Sequence, residues 1–384
     1  MIRYLPRHPM LLVFFILTTL SWADPAHPSV PGDQDAETEQ AQARDVADSV
    51  STHTLDAYPY VFYTPETKIA FGGGGTYTWR YAGEDPDLPP NSFMAALTFT
   101  QRKQMIIALT PEIFTRNRKW LLNGYLGYYH YPDKFWGIGN DTPDSAEEDF
   151  EPRFGEIEAY GQRIITGGLM AGLAGFLMEY QPYEVPPGGL LDSGDVPGAE
   201  GGLSSGLGVM ATLDTRHPRF SARTGYYLQL KTLMYRKAFG SDFHFNRTTI
   251  DLRHFKSLGK TWVLAMQGFA QFTRGDVPFN MMPLLGGKYS MRGYFTGRFR
   301  DAELITGQAE LRYPLWHRFR GVVFAGAGSV ASAMDQFTWG GLKPSVGLGL
   351  RYVFDVRENI VLRMDFGFGE NGNNGLYIMI NEAF

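Results

Sequence analysis

The chain has 384 residues, with 45 Gly, 28 Phe, 21 Tyr and 7 Trp, no Cys, and 35 basic against 40 acidic side chains. Glycine well above the usual ~7%, beside so many aromatics, points to sheet rather than helix, and a mean hydropathy of −0.21 argues against a helical membrane bundle. Zero cysteine excludes disulfide scaffolds, thiol nucleophiles and cysteine-bound zinc or iron–sulfur clusters, and no basic stripe marks a nucleic-acid partner.

Arg3 and Arg7 precede an apolar and Thr run from Met10 to Leu20, and Ser21-Trp22-Ala23 ends it with small residues at the cleavage positions. Residues 1–23 therefore read as a secretory signal peptide, and the run is too short for a spanning helix. Residues 24–57 carry eight acids against the single base Arg44 and few large apolar side chains. Such a segment cannot offset its ordering entropy, so it reads as a disordered acidic tail on the periplasmic side.

Beyond it, residues 58–384 alternate with a period of two. In 360–368 one face carries Ile360, Leu362, Met364, Phe366 and Phe368, and the other Val361, Arg363, Asp365 and Gly367. Candidate strands lie near 67–82, 91–101, 103–115, 118–131, 150–162, 164–180, 204–214, 223–237, 241–256, 262–274, 304–313, 319–331, 342–354, 358–369 and 375–384. Secretion, strand length and aromatics at strand ends (Tyr58, Tyr60, Tyr128, Tyr129, Tyr131, Tyr226, Tyr227) favour an all-β transmembrane antiparallel barrel with aromatic girdles. Links are short near 116–117, 163 and 356, and long at 132–149, 181–203 and 275–303, which suits a periplasmic and an outer side respectively. An even total makes 16 strands, one of them unseen before residue 115, with 14 as the alternative.

Leu285-Gly286-Gly287-Lys288-Tyr289-Ser290-Met291-Arg292-Gly293-Tyr294 resembles the sixth-loop signature of the BamA/TamA surface-antigen superfamily of outer-membrane barrels. Asp214-Thr215-Arg216, Glu310-Leu311-Arg312-Tyr313-Pro314, 347–352, Leu362-Arg363-Met364-Asp365 and Phe135-Trp136-Gly137-Ile138-Gly139-Asn140 extend the likeness over most of 65–384. The resemblance implies a long sixth outer loop folded into the lumen, carrying Gly286, Gly287, Arg292, Gly293 and Tyr294. It departs in two places: residues 24–57 cannot hold a POTRA domain, and Gly326 in Phe324-Ala325-Gly326-Ala327-Gly328 stands where the family tends to place an aspartate.

A buried guanidinium needs a carboxylate. Asp365 is the first candidate partner of Arg292 and Glu310 the second, with Arg312, Arg351 and Arg363 completing a mixed-charge wall. Gly72, Gly73, Gly74 and Gly75 on the first candidate strand mark either a loose closing seam or a bend at a barrel corner. Tyr377 and the terminal Phe384 resemble the C-terminal signal read by the barrel assembly machinery, with Glu382 interrupting the apolar alternation.

His217, His244, His254 and His317 form no constellation with a serine and have no metal spacing, so neither catalysis nor a metal or other cofactor is expected. The expected function is outer-membrane protein or lipid assembly and translocation by a gated, loop-plugged barrel, with outer-membrane lipids, the insertion machinery and a client protein or lipid as partners. The alternative is a passive channel, receptor or surface antigen that shares the fold.

Overall fold

The structure is a computed structural model that describes residues 53–85, 88–218, 221–355 and 360–384. Residues 1–23, expected to be a signal peptide, and residues 24–52 of the acidic segment lie outside the described residues. Sixteen long antiparallel strands close on themselves. They are β1 (His53–Thr64), β2 (Lys68–Trp79), β3 (Asn91–Thr100), β4 (Met105–Phe114), β5 (Trp120–His130), β6 (Glu148–Thr166), β7 (Leu169–Glu184) and β8 (Gly202–Asp214). The second half comprises β9 (Gly225–Tyr235), β10 (Phe245–Leu258), β11 (Trp262–Gly275), β12 (Glu303–Trp316), β13 (Phe319–Ala331), β14 (Lys343–Asp355), β15 (Ile360–Gly369) and β16 (Asn374–Ile380). Each pairs with its sequence neighbours, and β1 meets β16. No α-helix occurs among the described residues.

The missing strand is β1, and it takes in 53–57, which the sequence assigned to the tail. Its start carries His53 and Asp56, and Pro59 sits within it, so propensity speaks against a strand. Pairing with β2 along its whole length overrides that, from His53↔Trp79 to Thr64↔Lys68. Proline is tolerated in sheets chiefly on strands with an open edge, and β1 has one: among the described residues its register with β16 is the single pair Tyr63↔Ile378.

The apolar face of the sheet is the exposed one. Leu173, Val209, Leu230, Val346 and Leu348 are all at least half exposed, whereas Arg351, Arg363 and Asp365 are wholly buried. This inverts a soluble barrel and suits a lipid surround. The proposed girdle divides: Tyr128 and Tyr226 are exposed, but Tyr60, Tyr129, Tyr131 and Tyr227 are buried on the inner face. Inner aromatics stack across strands, Tyr129 on Phe154 at 4.4 Å and Tyr235 on Phe245 at 4.0 Å.

The glycine run is not at the seam. Gly72 to Gly75 lie on β2, opposite Tyr60, Pro59, Tyr58 and Ala57 of β1 on one side and residues 95–98 of β3 on the other. Gly72 makes room for Tyr60, whose hydroxyl meets Thr98 Oγ1 at 2.6 Å. A Cβ on Gly72 would fall 2.1 Å from the Leu97 carbonyl oxygen and 2.9 Å from the Tyr60 ring, whereas one on Gly73 would meet nothing within 4 Å. Gly72→Val is therefore expected to lower barrel stability by about 1–3 kcal/mol through overpacking, and Gly73→Ala to leave it unchanged. Urea-unfolding midpoints of the two variants in the same detergent check the contrast; equal midpoints would contradict it.

Candidate functional site

The connections 131–147, 185–201, 236–244, 276–302 and 332–342 all leave the same end of the barrel, and the three longest are among them. Counted in chain order from the β1–β2 turn, 276–302 is the sixth connection at that end. A short hairpin, Leu284–Leu285 with Phe299–Arg300, closes its base. Gly286 and Gly287 follow at φ 113° and 95°, conformations that favour glycine, and Gly287 N–H donates to the Tyr294 carbonyl at 2.9 Å.

Arg292 stands at the tip of this excursion and is 1% exposed. Its Nη1 donates to Asp365 Oδ2 at 2.6 Å. Its Nη2 lies 2.5 Å from Glu310 Oε1, charge against charge without an aligned hydrogen bond. Both partners were named from sequence, and the structure brings them to the same guanidinium. The Arg292 plane also sits over the Phe324 ring, 3.6 Å from its centroid. So the element lacking the family's aspartate supplies an aromatic face instead, a contact that sequence reasoning did not suggest.

The neighbouring charges alternate in a closed ring. Arg292 meets Asp365, which meets Arg351; Arg351 Nε donates to Glu382 Oε2 at 2.7 Å. Glu382 lies 3.9 Å from Arg312, Arg312 Nη2 donates to Glu310 Oε2 at 2.9 Å, and Glu310 returns to Arg292. Arg363 adds a 3.4 Å contact to Asp365. Gly349 leaves the space: a Cβ there would fall 2.1 Å from Asp365 Oδ1. Glu382, read from sequence only as an interruption, is a member of this ring.

The next residues fasten the loop to the strands beside the seam. Gly293, at φ 111°, packs so closely on β15 that a Cβ would lie 2.7 Å from the Phe368 carbonyl carbon. Its N–H donates to the Tyr377 hydroxyl of β16 at 3.1 Å. Tyr294 donates to the Pro344 carbonyl at 2.8 Å and accepts from Glu370 N–H at 2.8 Å. On the other flank, Thr296 donates through N–H and Oγ1 to Glu66 Oε1 in the β1–β2 turn, at 2.9 and 2.7 Å. Glu66 had no sequence signal, because its partner lies 230 residues away.

Tyr377 and Phe384 both lie inside the folded barrel: Tyr377 is wholly buried under Gly293, and Phe384 packs with Ala222, Phe255 and Ala265. Asp214 and Arg216 pair at 2.7 Å beneath Tyr227. In 135–140, Asn140 links Val330 N–H and the Gly341 carbonyl, joining the third and seventh connections.

Outside the membrane-spanning strands, Asp133 lies buried beside a cavity of about 40 Å³ lined also by Tyr131, Tyr180, Phe279 and Arg300. Burial pushes its carboxyl up to about 7, opposed by the Arg300 charge. A carboxyl raised in the fold favours the folded state fully below the usual carboxylate range and loses that contribution as pH rises through about 7. The packing of 131–147 on the Arg300 hairpin should therefore loosen between about pH 4 and pH 7. Protease accessibility of 131–147 against pH measures this, and Asp133→Asn should flatten the profile; an unflattened profile would refute it.

Residues 198–367, from the 185–201 connection into β15 and including the sixth loop, match the family model described as the Omp85 superfamily domain. The structure is similar to BamA from Haemophilus ducreyi lacking POTRA domains 1–3, with a TM-score of 0.58 at 14% identity over 86% of this chain and 70% of that one. It is similar also to CdiB from Acinetobacter baumannii, with a TM-score of 0.56 at 14% identity over 86% of this chain and 59% of that one. No curated protein sequence matches the chain. At these identities the likeness is one of fold, a closed antiparallel barrel. Arg292, Glu310 and the strands that hold them fall within the matched residues.

Proposed function

We propose that this Omp85-type barrel serves the assembly or translocation of outer-membrane proteins or lipids, passing its client along the β1–β16 seam while the sixth loop plugs the lumen. The observation that carries this reading is the seam itself, a single registered pair between β1 and β16, where neighbouring strands pair over most of their length. An unpaired strand edge is a template for another strand, and in hydrocarbon each unsatisfied backbone group costs several kcal/mol. β16 has only 7 strand residues, short of the roughly 9–11 that cross a bilayer, so lipid packing is weakest beside the same edge. Arg292, Gly293 and Tyr294 hold the loop across the lumen, and outer-membrane lipids and client chains are the partners this geometry suits.

The test is depletion of the chain followed by quantification of outer-membrane proteins and lipids, with planar-bilayer recording of the purified barrel. The reading expects a changed membrane composition and small, flickering currents. An unchanged composition with a steady large conductance would favour the passive channel.

A further inference from the structure

We infer that Glu382 is a positioning residue that holds the seam open by drawing the C-terminal end of β16 into the charge ring. This inference rests on reading the β1–β16 seam as the client's route. The strand breaks at Asn381, which adopts φ 66°, a left-handed conformation that asparagine tolerates better than most residues. Its N–H still donates to the Val361 carbonyl of β15 at 2.7 Å. The chain then turns inward: Glu382 reaches Arg351 at 2.7 Å, the Phe384 carbonyl accepts from Arg312 at 3.3 Å, and Ala383 and Phe384 join Phe255 and Ala265 on the inner side.

The alternative path is set by the register. Continuing Tyr63↔Ile378 antiparallel would bring Asn381, Glu382, Ala383 and Phe384 opposite Tyr60, Pro59, Tyr58 and Ala57, the part of β1 whose outer edge is unpaired. Because Tyr377 faces inward, strict alternation would turn Ile380, Glu382 and Phe384 toward lipid. Two of these suit lipid and Glu382 does not, since a carboxylate there forfeits two guanidinium partners for an interfacial position. One side chain therefore decides between a zipped seam and an inward tail.

The absence of cysteine makes the test direct. Paired cysteines Tyr58→Cys and Ala383→Cys are introduced into the full chain, with and without Glu382→Val, and oxidised in native membranes. A second pair, Tyr63→Cys with Ile378→Cys, reports that the barrel has folded with its seam in the observed register. The 58–383 disulfide is expected to form only with Glu382→Val and, to a smaller extent, Glu382→Gln, while the 63–378 disulfide forms in all. Equal 58–383 bonding in the parent chain would overturn the inference. So would its absence from every background in which 63–378 bonds, because Glu382 would then not be what restrains the tail. A null result in the depletion experiment would sink the functional reading and leave this cross-link pattern standing.

Discussion

Arg292→Ala should unfasten the sixth loop and destabilise the barrel by about 3–5 kcal/mol, the usual consequence of removing one member of a buried ion pair. The side chain is fully buried between Asp365 and Glu310, 2.6 and 2.5 Å away, and covers Phe324. Its loss leaves two carboxylates facing each other's field and an aromatic ring without its cover. Arg292→Lys should recover only part of the loss, because an ammonium keeps the charge but not the planar fork that reaches two carboxylates while stacking on a ring. The urea midpoint, heat-modifiable migration and protease resistance of 276–302 provide the readouts. A midpoint unchanged from the parent, with the loop still resistant, would show that the arginine is not the anchor.

Asp365→Asn should cost more than Glu310→Gln, although both contact the same guanidinium. Asp365 is shared by Arg292, Arg351 and Arg363, whereas Glu310 is shared by Arg292 and Arg312. Removing the first carboxylate leaves Arg292 to Glu310 and Arg351 to Glu382, and takes from Arg363 its carboxylate contact, so the penalty for uncompensated buried charge rises steeply. The expected loss is about 3–5 kcal/mol for Asp365→Asn, and less for Glu310→Gln, read from unfolding midpoints of the two purified variants. A double variant with Arg292→Ala should lose less than the sum of its parts, since residues in one network couple. Full additivity, or a larger effect for Glu310→Gln, would contradict the ring.

Local pattern carried much of this barrel. Alternation of period two needs no partner to be read, so all 15 candidate ranges fell on strands; parity put Arg363 and Asp365 on one face, and secretion, strand length and aromatics at strand ends made that face the inner one. The sixth loop was legible through the resemblance of Leu285 to Tyr294 to a known loop signature, and its Gly286, Gly287 and Gly293 adopt backbone conformations that few other residues take. By contrast β1 was hidden, since Asp56 and Pro59 argue against a strand and only the ladder to β2 outweighs them. The glycine run was misplaced for the same reason: with β1 unseen, β2 was taken for the first strand.

The composition and period of the sequence therefore determined an all-β barrel and its strand parity, and the resemblance at 285–294 pointed to the residues able to fasten its loop, because these depend on each residue and its near neighbours along the chain. Closure, pairing and partner choice were decided only in three dimensions. The Thr296–Glu66 link, the stacking of Arg292 on Phe324 and the capture of Glu382 by Arg351 join segments far apart in sequence. Which of several buried carboxylates a guanidinium meets depends on barrel curvature and register, and those exist only once all sixteen strands have closed.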